Sequence, residues 1–346
     1  MVKYRSGATE IVETEIKGVT KYALDSISVY KIKVENFPDH FTNMYLILDR
    51  EVSLVDVGFD TEESRADLEE GLEIINKDFK EKVGLEDVSN IIITHGHADH
   101  FGMIGYEKLK GKRVYIHHLG SNVIRNFQHD ALSWREQLGK LIKEASSDIK
   151  LEDLSFPDQF QAAGYELIEV GDGQEIVNGY VVYHTPGHSI SEICLKVGSV
   201  LFLGDHILSI TTPHQAPKSS GGAGLQAYLD SLRRVANLGI ELGLPAHEDA
   251  VYPIRARAEE IEAFHYQRLE ELVELCGRER NLSQLTEEYY DRHPEFIKTY
   301  YAEQFPQDNK VLALEEIKAH VEYLLESNRI TITNIENGVI KYKSKL

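Results

Sequence analysis

The chain has 346 residues, 42% of them apolar, and a formal net charge of −20. That length suggests one large or two moderate domains with a substantial core, and so acidic a surface repels polyanions and counts against general nucleic-acid binding. Two cysteines offer no disulfide framework, so a reducing, cytoplasmic setting is expected, and neither the charged and polar Met1–Thr20 nor any later stretch is apolar enough for a secretion signal or a membrane span.

Residues 26 to 57 alternate in a way that suits paired strands, including Ser28–Ile32 and Met44–Leu48. Another strand-like run, Val52–Gly58, carries Asp56 near its end. Glu62–Phe79 reads as an amphipathic helix with Leu68, Leu72, Ile75 and Phe79 at helical spacing. The apolar Ile91–Ile93 then runs into Thr94-His95-Gly96-His97-Ala98-Asp99-His100, after which Phe101–Lys110 could continue as a helix. A strand end followed by a tight turn lets His95, His97, Asp99 and His100 point into one pocket. Such groups cannot share a buried pocket unpaired without a large desolvation cost, which a divalent metal offsets. Solvated histidines on a loop are the alternative.

Residues 120–165 read as a helical insertion, with helices over Ser121–Phe127 and Leu132–Ala145 and the chain's single tryptophan, Trp134. A lid over the pocket and a peripheral hairpin both fit it. His188 follows in Thr185-Pro186-Gly187-His188. Asp205 and His206 close the apolar run Leu201–Leu203, and His247 sits in Pro245-Ala246-His247. A pocket role and a structural role are both open for His206. Ser219–Gly224 reads as a flexible loop before a helix starting near Leu225, and such a loop could border the pocket.

These spaced elements, in this order over residues 28 to 255, resemble the metallo-β-lactamase superfamily. The resemblance implies an α/β fold, specifically an αββα sandwich, for a catalytic domain spanning 1–254. It implies two divalent metal ions, with zinc expected first and iron or manganese also compatible. His95, His97 and His188 would hold the first ion, Asp99, His100 and His247 the second, and Asp205 would bridge them beside a shared hydroxide. Asp56 would orient a ligand histidine or the attacking water. Asp56, Asp99 and Asp205 are thus the expected catalytic carboxylates, and hydrolysis the expected reaction. An aspartate bridge counts against a true β-lactamase.

Residues 255–346 read as helices Arg255–Cys276, Asn281–Tyr289 and Val311–Glu326, then a hairpin of Arg329–Thr333 and Val339–Tyr342 turned at Asn337-Gly338. This looks like a C-terminal winged-helix domain, as in one branch of the superfamily. The tail carries 13 Lys/Arg against 18 Asp/Glu, and Val311–Glu326 holds Glu315, Glu316, Glu322 and Glu326 but only Lys318. A phosphate-facing helix needs cations. The expected role is therefore packing, formation of a homodimer, or one wall of the site. The expected function is hydrolysis of a small-molecule ester, thioester or lactone, with an endoribonuclease as the alternative.

Overall fold

The computed structural model describes residues 1–154, 165–294 and 306–345. Residues 155–164 of the expected insertion lie outside the described residues. The first nine strands form one sheet in chain order: β1 (Val2–Ser6), β2 (Thr9–Ile16), β3 (Val19–Leu24), β4 (Ile27–Phe37), β5 (His40–Leu48), β6 (Val52–Val55), β7 (Val88–Ile92), β8 (Arg113–His117) and β9 (Glu166–Val170). Pairing is antiparallel through β6 and parallel from β6 to β9. A second sheet runs β10 (Val181–His184), β11 (Ile193–Val197), β12 (Val200–Gly204) and β13 (Leu242–Pro245), with β12 and β13 parallel.

The period-2 pleat sorts side chains between two cores. In β5, Tyr45 and Ile47 face the second sheet, while Met44 and Leu46 face outward. In β12, Val200 and Phe202 face the first sheet, and Leu201 and Leu203 face the other way. Helix α1 (Glu62–Asp78) covers the outer face of the large sheet through Leu68, Leu72 and Ile75. Thr61 caps it by accepting the Ser64 N–H. The short α2 (Ala98–Phe101) follows β7, then α3 (His118–Arg125) and α4 (Phe127–Ala145) follow β8. Helices α5 (Leu225–Ala236), α6 (Ile254–Leu275), α7 (Leu282–Arg292) and α8 (Pro306–Glu326) share one core with α4 on the outer face of the small sheet. The layer order is helix, sheet, sheet, helix. A third sheet, β14 (Arg280–Asn281), β16 (Val339–Ser344) and β15 (Ile330–Glu336), closes the tail.

Two expectations are corrected. Phe101–Lys110 is not one helix: α2 ends at Phe101 and short 3-10 turns follow. Gly102 packs so closely that an added Cβ would stand 3.1 Å from the Phe59 backbone, which fixes the chain path there. The charged N-terminus forms three strands not expected from sequence. It buries Ile11, Tyr22 and Leu24 on one face and Val19 on the other, among alternating polar residues. Among the described residues, no helix is long and apolar enough to cross a membrane.

Candidate metal centre

The parallel strands of both sheets end at the same edge of the sandwich, and the candidate ligands come from those ends. β6 leads to Asp56, β7 to the histidine run, β12 to Asp205 and β13 to His247; His188 arrives from the turn after β10. A backbone bond from Ile193 N–H to the Thr94 carbonyl (2.9 Å) ties the two sheets together beside the site.

Two groups of donors result. His97 Nδ1 lies 2.9 Å from His95 Nε2 and 3.0 Å from His188 Nε2. Asp205 Oδ2 lies 3.3 Å from His247 Nε2, 3.5 Å from His188 Nε2 and 3.6 Å from His100 Nε2. Asp99 Oδ2 lies 3.5 Å from His247 Nε2 and 3.6 Å from His100 Nε2. The structure thus brings every expected ligand together, with Asp205 touching both groups.

The donor set fits divalent ions. Nitrogens each about 2.0–2.1 Å from one tetrahedral ion stand about 3.3 Å apart, close to the spacing seen here. His100 Nε2 and Asp205 Oδ1 are buried with no hydrogen-bond partner among the described residues, an arrangement that costs free energy unless a ligand completes it. The far nitrogens of the same rings are engaged. His100 Nδ1 donates to Asp56 Oδ2 at 2.9 Å, His247 Nδ1 to the Phe41 carbonyl at 2.6 Å, and His188 Nδ1 to the His214 carbonyl at 2.9 Å. His95 Nδ1 stands 3.2 Å from Glu192 Oε2. The carbonyls and the Asp56 carboxylate accept only, so the contacts of His100, His188 and His247 put a proton on the outer nitrogen and turn their Nε2 atoms inward.

Asp56 stands behind the ligands rather than among them. Besides His100 it accepts from Thr94 N–H and Thr94 Oγ1, both at 2.8 Å. Its backbone lies in the left-handed region at φ 52°, an uncommon state for a non-glycine residue at the tip of β6.

The electrostatics divide the cluster. Burial, reinforced by neighbouring imidazoles, holds His95 well below the ordinary histidine range and His97 down at about 3. Burial also opposes charge on His100 and His247. Asp99, Asp205 and Asp56 outweigh it for His100, which is raised well above that range, and Asp205 and Asp99 raise His247 to about 10. Burial works against the charged form of Asp99 and Asp205 too, but His100 and His247 keep both carboxylates well below the usual range. The ionised carboxylates and the neutral His95 and His97 are in the states that metal ligation requires, whereas His100 and His247 would each release a proton on binding an ion.

Sequence reasoning missed two residues here. Glu192 is fully buried, and its Oε1 accepts the Asp205 N–H at 3.1 Å. Burial and the Asp205 charge raise its pKa well above the carboxylate range. Its signal was a lone acid entering the apolar strand Ile193–Val197. His40, stacked on Phe37, places Nε2 3.0 Å from Asp99 Oδ2, and no motif marked it. His206 is buried, and its ring packs edge-on against Tyr228.

The sequence matches the metallo-beta-lactamase superfamily over residues 37–247, and the chain belongs to that superfamily. It is similar to the probable metallo-hydrolase YqjP of Bacillus subtilis strain 168, with 26% identity over 231 residues, 62% of this chain and 70% of that protein. It is also similar to a fungal atrochrysone carboxyl ACP thioesterase from Aspergillus fumigatus, with 27% identity over 165 residues, 46% of this chain and 38% of that protein. The lactamase-like protein nscB of Neosartorya fischeri matches at 27% identity over 198 residues, 56% of this chain and 46% of that protein, so the chain spans less than half of these fungal relatives. The crystal structure of a metallo-beta-lactamase family protein from Thermus thermophilus superposes with a TM-score of 0.71 at 25% identity, covering 92% of this chain and 98% of that one. A beta-lactamase domain protein from Burkholderia ambifaria, at 20% identity and a TM-score of 0.63, shares the fold over 91% of this chain and 92% of its own. The protein is a metal-dependent hydrolase of this superfamily.

Proposed function

We propose that the protein is a dinuclear hydrolase of a small-molecule acyl substrate, a thioester before an ester or lactone. The observation that carries the dinuclear reading is Asp205 Oδ2, which lies 3.3–3.6 Å from histidines of both donor groups. His95, His97 and His188 would hold the first ion and Asp99, His100 and His247 the second, with Asp205 placed between the two sets. Zinc is the first expectation for such a nitrogen-rich set. When bound, the two ions supply Lewis acidity and activate water at neutral pH. The residues around them do the positioning. Asp56 orients His100, the Thr94 hydroxyl meets His95 Nδ1 at 3.2 Å, and the Phe41 and His214 carbonyls orient His247 and His188. The thioester preference rests on the activity for which the A. fumigatus relative is named.

We read the tail as a winged helix. The order α6, β14, α7, α8, β15, β16 and the sheet order β14-β16-β15 support this. The endoribonuclease alternative needs α8 free to meet a phosphate backbone. Its Glu315, Glu316 and Lys318 are buried inside the protein, which favours the small substrate. Elemental analysis of protein purified without chelator tests the reading, with about two metal equivalents per chain expected. A screen across thioesters, lactones, phosphodiesters and RNA should return acyl hydrolysis. Active protein lacking metal, or turnover of RNA alone, would reverse it.

A further inference from the structure

His188 sits in a turn rather than at a strand end. Pro186 and Gly187 precede it, and the helix α5 lies beyond. What fixes its ring is the loop between β12 and α5, through the His214 carbonyl at 2.9 Å. That carbonyl belongs to a segment fastened to the C-terminal helix α8. His214 Nε2 donates to the Leu312 carbonyl at 3.2 Å, and Gln215 N–H donates to Glu316 Oε2 at 2.7 Å. Further along, Lys218 N–H and Ser219 N–H donate to Glu322, at 2.7 and 3.2 Å, and Lys218 Nζ pairs with Glu326.

The fastening is internal rather than a surface pairing. Glu316 is buried, and its other oxygen receives Arg268 of α6, which also donates to the Tyr289 hydroxyl of α7. Three helices of the tail thus converge on the acceptor that holds the Gln215 amide. Exposed ion pairs contribute little, but a buried, multiply bonded carboxylate holds its geometry.

We propose that the C-terminal helix positions a metal ligand: Glu316 and the Leu312 carbonyl, acting through residues 214–215, set the orientation and tautomer of His188. The proposal rests on the reading of His95, His97 and His188 as the first ion's ligands. It makes the tail part of that ion's outer sphere, with Glu316 and His214 as positioning residues. The second ion's histidines take no support from residues 214–219: His100 leans on Asp56 and His247 on the Phe41 carbonyl, and where the same loop meets Glu248, beside His247, it does so through Ser209, Ile210 and Thr211. The two ions should therefore respond differently when the tether at His214 and Gln215 alone is loosened.

The test is stepwise zinc binding to metal-free protein, read by competition with a chromophoric chelator, alongside thermal melting. His188→Ala and Asp99→Ala identify which step belongs to which ion. His214→Ala cuts the Leu312 tether and leaves the Glu316–Arg268 pair intact, so it should fold; Glu316→Ala is the stronger variant. Each is expected to weaken the His188-dependent step about 10- to 100-fold, the usual cost of an outer-sphere loss, and to leave the Asp99-dependent step within about twofold. On a His188→Ala background, His214→Ala should add no further loss, since what it positions is gone. Equal weakening of both steps, or of neither, overturns the positioning role. Wild-type protein that shows one step or none overturns the dinuclear reading and the proposal with it.

Discussion

A carboxylate that touches both donor groups cannot be replaced by anything nearby. Asp205→Ala should therefore abolish hydrolysis while the sandwich remains folded, a result checked by activity together with circular dichroism. Asp56 is a different case, because its oxygens receive Thr94 twice and His100 once. Asp56→Asn swaps one acceptor for a donor facing another donor. A loss of about 10- to 100-fold in metal affinity or activity is expected, smaller than for Asp205→Ala. Equal damage at unchanged folding would mean that Asp56 acts directly. Glu315 of α8 offers a test by pH. Burial raises its pKa from 4.5 to about 8, against a hydrogen bond from the Trp134 indole. The folded state then holds a proton that the unfolded state releases above about 4.5, so this group makes stability fall as pH rises from about 4.5 to about 8. Glu315→Gln mimics the protonated form and lacks that penalty. Its melting temperature relative to wild type should climb across the same window; a constant difference would mean that Glu315 is ionised in the fold.

At the scale of elements, the site depends on how strands end. β12 ends at Gly204, where φ is 53° and an added Cβ would meet Glu192 Oε1 at 2.1 Å. The glycine lets the chain turn Asp205 inward while Glu192 reaches beneath it. Gly204→Ala should cost at least about 2 kcal/mol, from the left-handed backbone and the clash together; denaturant unfolding measures it, and a near-neutral result would show that Glu192 moves aside freely. These strand ends explain why so much of the site could be read from sequence. Each expected ligand follows an apolar run or sits in a short Gly- or Pro-bearing turn, and both patterns are local. Glu192 and His40 escaped because their roles come from contacts between distant segments. His40 reaches Asp99 across 59 positions. The N-terminal strands escaped for a related reason: in β1 and β2 the buried face is thin, and little but Ile11 marks it. The glycine-rich stretch that read as flexible is fastened at its start, where Ser219 N–H donates to Glu322 about a hundred residues away, next to Lys218 on Glu322 and Glu326.

At the scale of the whole molecule, the same glutamates carry two arguments. From sequence, their charge spoke against phosphate contact. In the fold, they are also committed: Glu316, Glu322 and Glu326 face the loop after β12. Lys318 is occupied as well, donating to Glu144 of α4 and to the Tyr342 hydroxyl at 3.3 Å. One apolar core joins Leu138 and Leu141 of α4, Leu229 and Leu232 of α5, Leu269 and Leu272 of α6, and Ile317, Val321 and Leu324 of α8. Removing residues 255–346 would bare that core, so the shortened chain should aggregate, as light scattering would reveal; a soluble, active fragment would mean that the helices of the tail are dispensable.

The last expectation concerns polyanions. Phosphate contacts dominate nucleic-acid affinity and need unpaired cations along one face. This chain carries a net charge of −20, its candidate reading helix is built into the core, and Lys341 of the hairpin is paired with Glu279 at 3.3 Å. Duplex RNA or DNA should therefore show weak binding or none at physiological salt. A fluorescence-anisotropy titration from low to physiological salt decides it. Tight binding that weakens steeply with salt, together with cleavage that requires the tail, would move the activity to RNA and displace the small acyl substrate.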